Sequence, residues 1–255
     1  MMNILARSNR STLEQFSWSN ALLAFDYDGT LAPIVADPAR AEMRRSTRDL
    51  LRELARLFPI AIISGRAHAD VRKRVRGVDA EVIGNHGLEP WDASPRLSAE
   101  VRRWLPCLRR RFAPLSGVRV EDKAFSIAVH YRDSRQKKKA RAAIAKAIAA
   151  LGDVRVIGGK QVVNVLPATA PDKGIALERE RSRLRCDTAI FVGDDKTDED
   201  VFALDQPGRL LGIRVGRSRK SAAPYYVASQ RAVDPLLRAL LELRREALRL
   251  RRAAR

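Results

Sequence analysis

The apolar residues of this chain fall into two kinds of run. Ala21-Leu22-Leu23-Ala24-Phe25 is continuous and stops at Asp26-Tyr27-Asp28-Gly29-Thr30. A strand covered by helices on both faces reads this way, whereas a strand with one wet face alternates. Similar continuous runs occupy 59–64, 80–84 and 188–193. Between the first two, Leu50, Leu51, Leu54 and Leu57 recur at helical spacing over 46–58, with Ser46 placed to cap the helix. Strand, helix and strand make a βαβ unit, so the pattern predicts an α/β fold with a parallel sheet.

The middle of the chain follows another rhythm. A helix is predicted over 97–112, a strand pair over 117–122 and 125–131, a helix over 134–151, and strands near Val154 and over 161–166. Phe125-Ser126-Ile127-Ala128-Val129-His130-Tyr131 alternates, as a half-exposed antiparallel strand does. With Pro90, Pro95 and Pro167 near its borders, 89–167 reads as a small α+β domain inserted into an α/β domain made of 1–88 and 168–255. At the C-terminal end, Leu236, Leu240, Leu243, Ala247 and Leu250 form one helical stripe suited to packing on the core.

Composition then limits the partners. With 255 residues and 45% hydrophobic content, the chain can bury a real core. Its net charge of +19 first suggests a polyanion, but 89–167 alone carries +10 of that excess. The basic segments lack the interleaved aromatics of a nucleic-acid surface, and no run of 18 apolar residues offers a membrane span. Two cysteines make no disulfide framework, and the first twenty residues lack the apolar core of a secretory signal. The expectation is a cytoplasmic monomer that binds neither nucleic acid nor membrane.

Candidate chemistry sits where the strand runs end. Asp26 and Asp28 close one run, Ser64-Gly65-Arg66 another, and Asp194 and Asp195 a third, with Asp198 one helical turn further on. In open α/β sheets the ligand lies beyond the carboxyl ends of the strands, so these clusters are expected to converge. Unit charges about 4 Å apart repel by about 4 kcal/mol at an effective dielectric near 20, so crowded carboxylates demand a cation. Oxygen ligands alone point to Mg2+, which most often handles phosphate.

Spacing then narrows the route to phosphorus. The residues six positions after Cys107 and Cys186 are Ala113 and Val192, where a cysteine-dependent phosphatase would need arginine. Around Lys160, Val154 and Gln161 stand where a P-loop needs glycine and a hydroxyl. The three histidines, His68, His86 and His130, are scattered along the chain and give a phosphohistidine route no clear support, so an aspartate nucleophile remains.

Here the chain resembles a family. Asp26-Tyr27-Asp28-Gly29-Thr30-Leu31, Ser64-Gly65-Arg66, Pro171-Asp172-Lys173-Gly174 and Gly193-Asp194-Asp195-Lys196-Thr197-Asp198-Glu199-Asp200 are similar to the four ordered motifs of haloacid-dehalogenase-like (HAD) phosphatases. The resemblance implies a Rossmann-like parallel-sheet core with an inserted α+β cap domain. It implies Asp26 as nucleophile through an aspartyl-phosphate and Asp28 as the acid that protonates the leaving oxygen. Ser64 would contact phosphoryl oxygens and Lys173 would supply the counter-charge. Mg2+ would rest on Asp26, Asp28 through its backbone, and Asp194, with Asp195 and Asp198 in the outer shell. For Asp28 to be an acid at neutral pH, crowding by the other carboxylates would have to hold its proton on.

The insertion, Gly84-Asn85-His86-Gly87-Leu88-Glu89, and the Thr197-Asp198-Glu199-Asp200 wording narrow the resemblance to trehalose-6-phosphate phosphatases. It implies a phosphorylated sugar as partner, with Gly65, Arg66, Asn85, His86, Glu89, Lys123, His130 and Asn164 as substrate contacts. Each has a plainer reading too: Asn85-His86-Gly87 as a turn, Lys123 as a hairpin lysine, His130 as a half-buried strand residue. Asn164 stands where the family often has a glutamate. Sucrose 6-phosphate or a glycosyl-phosphoglycerate remains open as substrate, as does, from a different class, a basic nucleic-acid-binding or polynucleotide-end-processing role.

Overall fold

Strand β2 (Ala21–Phe25) is buried at every position, and its alternate residues serve two different layers. Leu23 and Phe25 pack with Leu51, Leu54, Leu236 and Leu240, whereas Leu22 and Ala24 pack with Ala176, Leu177, Val201 and Phe202. Both faces are apolar because both are covered, which is why the run is continuous.

The computed structural model describes residues 1–159 and 161–254. In chain order, β1 (Met2–Asn3), α1 (Arg10–Trp18) and β2 lead to α2 (Arg45–Ala55), β3 (Ile60–Ile63), α3 (His68–Arg74) and β4 (Glu81–Ile83). Next come α4 (Pro95–Phe112), β5 (Arg119–Asp122), β6 (Ile127–His130), α5 (Lys137–Ala149), β7 (Val154–Gly159) and β8 (Val162–Pro167). The chain closes with α6 (Lys173–Arg183), β9 (Thr188–Gly193), α7 (Glu199–Phe202), β10 (Leu210–Val215), β11 (Tyr225–Val227) and α8 (Val233–Ala253). These elements separate into two compact units, Met1–Gly87 with Asp172–Arg255, and Leu88–Pro171.

The first unit is a parallel sheet of seven strands in the order β1-β11-β10-β9-β2-β3-β4. From β2 the chain builds outward on one side through β3 and β4, and on the other through β9, β10 and β11. The order therefore reverses beside β2, and a crevice at the carboxyl ends is expected there. In register, Phe25 pairs with Val192 and the Asp26 amide donates to the Val192 carbonyl at 2.9 Å. The residues after β2 and β9 consequently emerge side by side.

The second unit is an antiparallel sheet in the order β5-β6-β8-β7, with α4 and α5 on one face. Ile127, Val129 and Val165 meet Val101, Leu105, Leu108 and Ile144 in its core. The opposite face carries Ala128, Asn164 and Ile157 in one cross-strand row.

Three expectations need correction. Helix α2 starts at Arg45 with Arg44 as its N-cap, and the Ser46 hydroxyl donates instead to Asp234 at 2.7 Å. Leu57 lies beyond the end of α2, and Leu250 is 51% exposed and so leaves the buried stripe of α8. Among the described residues, no helix is long and apolar enough to cross a membrane.

Candidate active site

Asp26 follows β2 directly and is almost fully buried. Its Oδ1 accepts a hydrogen bond from Lys173 Nζ at 2.8 Å, and the same ammonium donates to Asp198 Oδ1 at 2.8 Å. Lys173 is the first residue of α6, whose Asp172 N-cap accepts from the Ile175 amide at 2.8 Å and so fixes where the lysine enters. With only 1% of its side chain exposed, Lys173 is held charged between two carboxylates. Desolvation alone would lower its pKa, but Asp198 and Asp26 raise it well above its ordinary value.

Asp194 emerges from β9 beside Asp26. Oxygens of Asp26, Asp194 and Asp198 lie within 4.8 Å of one another. Asp198 is spoken for: its Oδ2 accepts from the amides of Asp194 and Asp195 at 2.7 and 2.8 Å, while its Oδ1 takes Lys173. Asp194 Oδ1, by contrast, is buried with no hydrogen-bond partner. An unsatisfied buried carboxylate oxygen is costly, and one lysine cannot balance so many carboxylates.

The titration of the cluster says the same. Burial, reinforced by Asp198 and Asp195, pushes Asp194 up to about 7. Burial likewise raises Asp198 to about 6 and Asp26 well above the usual carboxylate range. Asp195 is the exception. Desolvation pulls it upward, but Lys173 and hydrogen bonds from Thr197 hold it at about 2. A hard cation touching Asp26 and Asp194 would supply the missing charge and satisfy the orphaned oxygen, so these residues fit Mg2+.

Two glycines let the loops close up. A Cβ on Gly29, whose φ is +85°, would run into the Asp194 carboxylate, and a Cβ on Gly65 would run into the His86 ring. Ser64 is buried, its amide donates to the Ile83 carbonyl, and its own carbonyl accepts from the His86 amide at 2.9 Å. Asn85 and His86 both adopt positive φ, 47° and 59°, so this segment is a turn and a buried wall of the site at once.

Asp28 is where the structure departs from the sequence reading. The strand ends at Phe25, three residues before Asp28. Asp28 instead forms a bidentate pair with Arg66, Nε to Oδ2 at 2.6 Å and Nη2 to Oδ1 at 2.7 Å. Arg66 also donates to Asp70 Oδ2 at 2.8 Å and to the Pro38 carbonyl at 2.8 Å.

Arg214, which the sequence reading missed, donates to the carbonyl of Asp194 and, at 3.2 Å, to that of Asp195. Glu199 holds it from behind at 2.9 Å. A lone arginine inside the apolar run Leu210–Val215 was its only signal.

Residues 24–231 match the family model described as trehalose-phosphatase. The chain belongs to this family. A probable trehalose-phosphate phosphatase D of Arabidopsis thaliana is 31% identical over 254 residues, which are 89% of this chain and 69% of that relative. A trehalose-phosphate phosphatase of Mycolicibacterium paratuberculosis is 34% identical over 206 residues, 75% of this chain and 53% of its own. The solved C-terminal domain of a C. albicans trehalose-6-phosphate phosphatase shares the fold with a TM-score of 0.76 and 25% identity, over 92% of this chain and 98% of that one. As a trehalose-phosphatase, the chain is a phosphoric monoester hydrolase.

The four remaining candidates of this trehalose-phosphatase lie in the second unit. Glu89 is half-buried and precedes Pro90, and Lys123 lies in the β5–β6 turn, where its amide donates to the Ser126 carbonyl at 3.0 Å. His130 Nε2 is 2.6 Å from Glu121 Oε2, so its ring is already engaged across the strand pair. Glu121 was not among the expected residues. Asn164 is 8% exposed, and its Oδ1 is buried without a hydrogen-bond partner.

Proposed function

We propose that this trehalose-phosphatase hydrolyses trehalose 6-phosphate to trehalose and phosphate, with Mg2+ and through a phosphorylated Asp26. One observation carries the reading: Lys173 bridges Asp26 and Asp198 inside a buried cluster whose remaining carboxylate, Asp194, has an orphaned oxygen. Nucleophile, counter-charge and cation ligands stand together at the carboxyl ends of β2 and β9.

Lys173 occupies Asp26 Oδ1, which leaves Oδ2 to attack phosphorus. The bond from phosphorus to the sugar oxygen breaks, and that oxygen takes a proton from Asp28. Water, deprotonated by Asp28, then attacks phosphorus, releasing phosphate and regenerating the Asp26 carboxylate. Ser64, which directly follows β3, would hydrogen-bond phosphoryl oxygens. Bound Mg2+ would rest on Asp26 and Asp194 and offset the charge of the phosphoryl group.

Asp28 has to leave Arg66 to do this. A bidentate guanidinium pair engages both oxygens of the carboxylate, so the pair has to open before Asp28 can reach the sugar oxygen. The sugar would be read by the face of the second unit's sheet that carries Asn164, where the unpaired Oδ1 of Asn164 is an acceptor for a hydroxyl and the Glu121–His130 pair offers further polar contacts.

The test is phosphate release with Mg2+ from trehalose 6-phosphate, sucrose 6-phosphate, glucose 6-phosphate, a glycosyl-phosphoglycerate and an oligonucleotide 5′-phosphate. Trehalose 6-phosphate is expected to give the highest kcat/KM. A higher value for any other would overturn the substrate assignment.

A further inference from the structure

A network on the far side of the Asp26–Asp28 loop has no part in the chemistry just described. Gln230, the first residue of a short 3-10 turn ahead of α8, donates through Nε2 to the carbonyls of Thr30 and Leu31 at 3.0 and 3.1 Å. Its Oε1 accepts from Arg44 Nη1 at 3.0 Å. Arg44 Nη2 donates to Asp234 Oδ1 at 2.9 Å, and that carboxylate also accepts from Thr47 Oγ1 at 2.6 Å and Ser46 Oγ at 2.7 Å. Every polar atom of the Gln230 amide is therefore used. Its orientation is fixed as well, because the oxygen must face the guanidinium and the nitrogen the two carbonyls.

The grip bears on the metal ligands. Residues 27–32 form one tight loop, in which the Gly29 amide donates to the Ala32 carbonyl at 2.7 Å and the Ala32 amide to the Tyr27 carbonyl at 2.8 Å. Shifting the Thr30 and Leu31 carbonyls must shift Gly29 and the Asp28 backbone. Gly29 is packed on the Asp194 carboxylate so closely that a Cβ has no room. Gln230, Gly29 and Asp194 also line one cavity of about 280 Å³.

We infer that Gln230, held by Arg44 and Asp234, is a positioning residue that sets the Asp28–Gly29 backbone against Asp194 and thereby the geometry of the cation site. The inference rests on the Mg2+-dependent phosphatase reading and adds a residue outside the four motifs to it. Loss of partners that orient metal ligands typically weakens metal binding roughly 10–100-fold.

The experiment compares wild type with Gln230→Leu, which keeps the bulk and removes the amide. Two quantities are read at 20 °C: the Mg2+ concentration for half-maximal phosphate release, and direct binding of Mn2+ followed by electron paramagnetic resonance. The expected result is a rise of at least about 10-fold in both constants, with KM for the sugar phosphate changed by less than about 3-fold. A Gln230→Leu protein that unfolds at lower temperature but keeps both metal constants would overturn the inference, because that is what a purely structural brace does. If Gln230→Leu does not fold, Arg44→Lys gives the same comparison, since it leaves Gln230 in place but frees its amide to rotate. Wild type without Mg2+-dependent activity would instead refute the underlying reading, a result distinguishable from the first.

Discussion

Arg66 grips Asp28 with two parallel hydrogen bonds of 2.6 and 2.7 Å, and so engages both oxygens of the proposed proton donor. The pair makes Asp28 and Arg66 one functional unit. General acid–base groups contribute typically 10²–10⁴-fold, so Asp28→Asn should lower kcat by about that factor while KM changes little. Arg66→Gln should also lower kcat, and the double variant should lose less than the two losses added in free energy. Steady-state kinetics on all four proteins checks this. Full additivity would mean that Arg66 and Asp28 act independently.

Gly29 should not tolerate a side chain. Its φ of +85° alone costs an L-residue about 1–2 kcal/mol, and the new methyl would displace Asp194. Gly29→Ala is expected to lose both thermal stability and Mg2+-dependent activity. A variant with wild-type Tm and activity would show that the loop can relax away from Asp194.

Asp234 gives stability a defined pH dependence. Desolvation raises its pKa, but hydrogen bonds from Thr47 and Ser46 and the pairing with Arg44 outweigh this and hold it below its ordinary value of 3.8. A group lowered in the folded state contributes stability that is fully present above the unfolded value and lost as pH falls through the folded one. Asp234→Asn should therefore melt below wild type at pH 7, and the gap should narrow below about pH 4. Melting curves across that range decide it, and a gap independent of pH would contradict the assignment.

The basic run Lys137-Lys138-Lys139 is exposed in the first turn of α5, which has no acidic residue there and no side-chain cap. Cations at a helix N-terminus oppose its dipole, each by typically 0.3–1 kcal/mol at low salt. Replacing all three with Gln should raise Tm at low ionic strength. If these charges steer the sugar phosphate, the same change lowers kcat/KM and flattens its salt dependence. An unchanged kcat/KM would leave the run without a steering role.

What could be read from the sequence follows from where burial leaves a mark. β2, β3 and β9 are buried almost throughout and appear as apolar runs, whereas the alternation around Ile127–His130, which predicted a half-exposed strand, runs through three consecutive buried positions, Ile127, Ala128 and Val129. Helix α3 buries only Val71, and β1 and β11 are only two and three residues long, so no periodicity announces them. The site shows the same division. Asp26, Ser64, Lys173 and Asp194 lie at the ends of strong elements and are legible by position. The direction of Asp28 is not, because beyond the strand end Arg66 decides it. Gln230 is invisible in the chain because its role depends on carbonyls about two hundred residues away.

The central claim is that Asp26 becomes phosphorylated. Its most direct measurement is an acid quench during turnover of trehalose 6-phosphate carrying a radiolabelled phosphate, with Mg2+ present, followed by digestion and mapping of protein-bound label. The prediction is hydroxylamine-sensitive label on the peptide that contains Asp26, absent from a folded Asp26→Asn variant that releases no phosphate. Turnover without protein-bound label in wild type, together with continued phosphate release by Asp26→Asn, would contradict it.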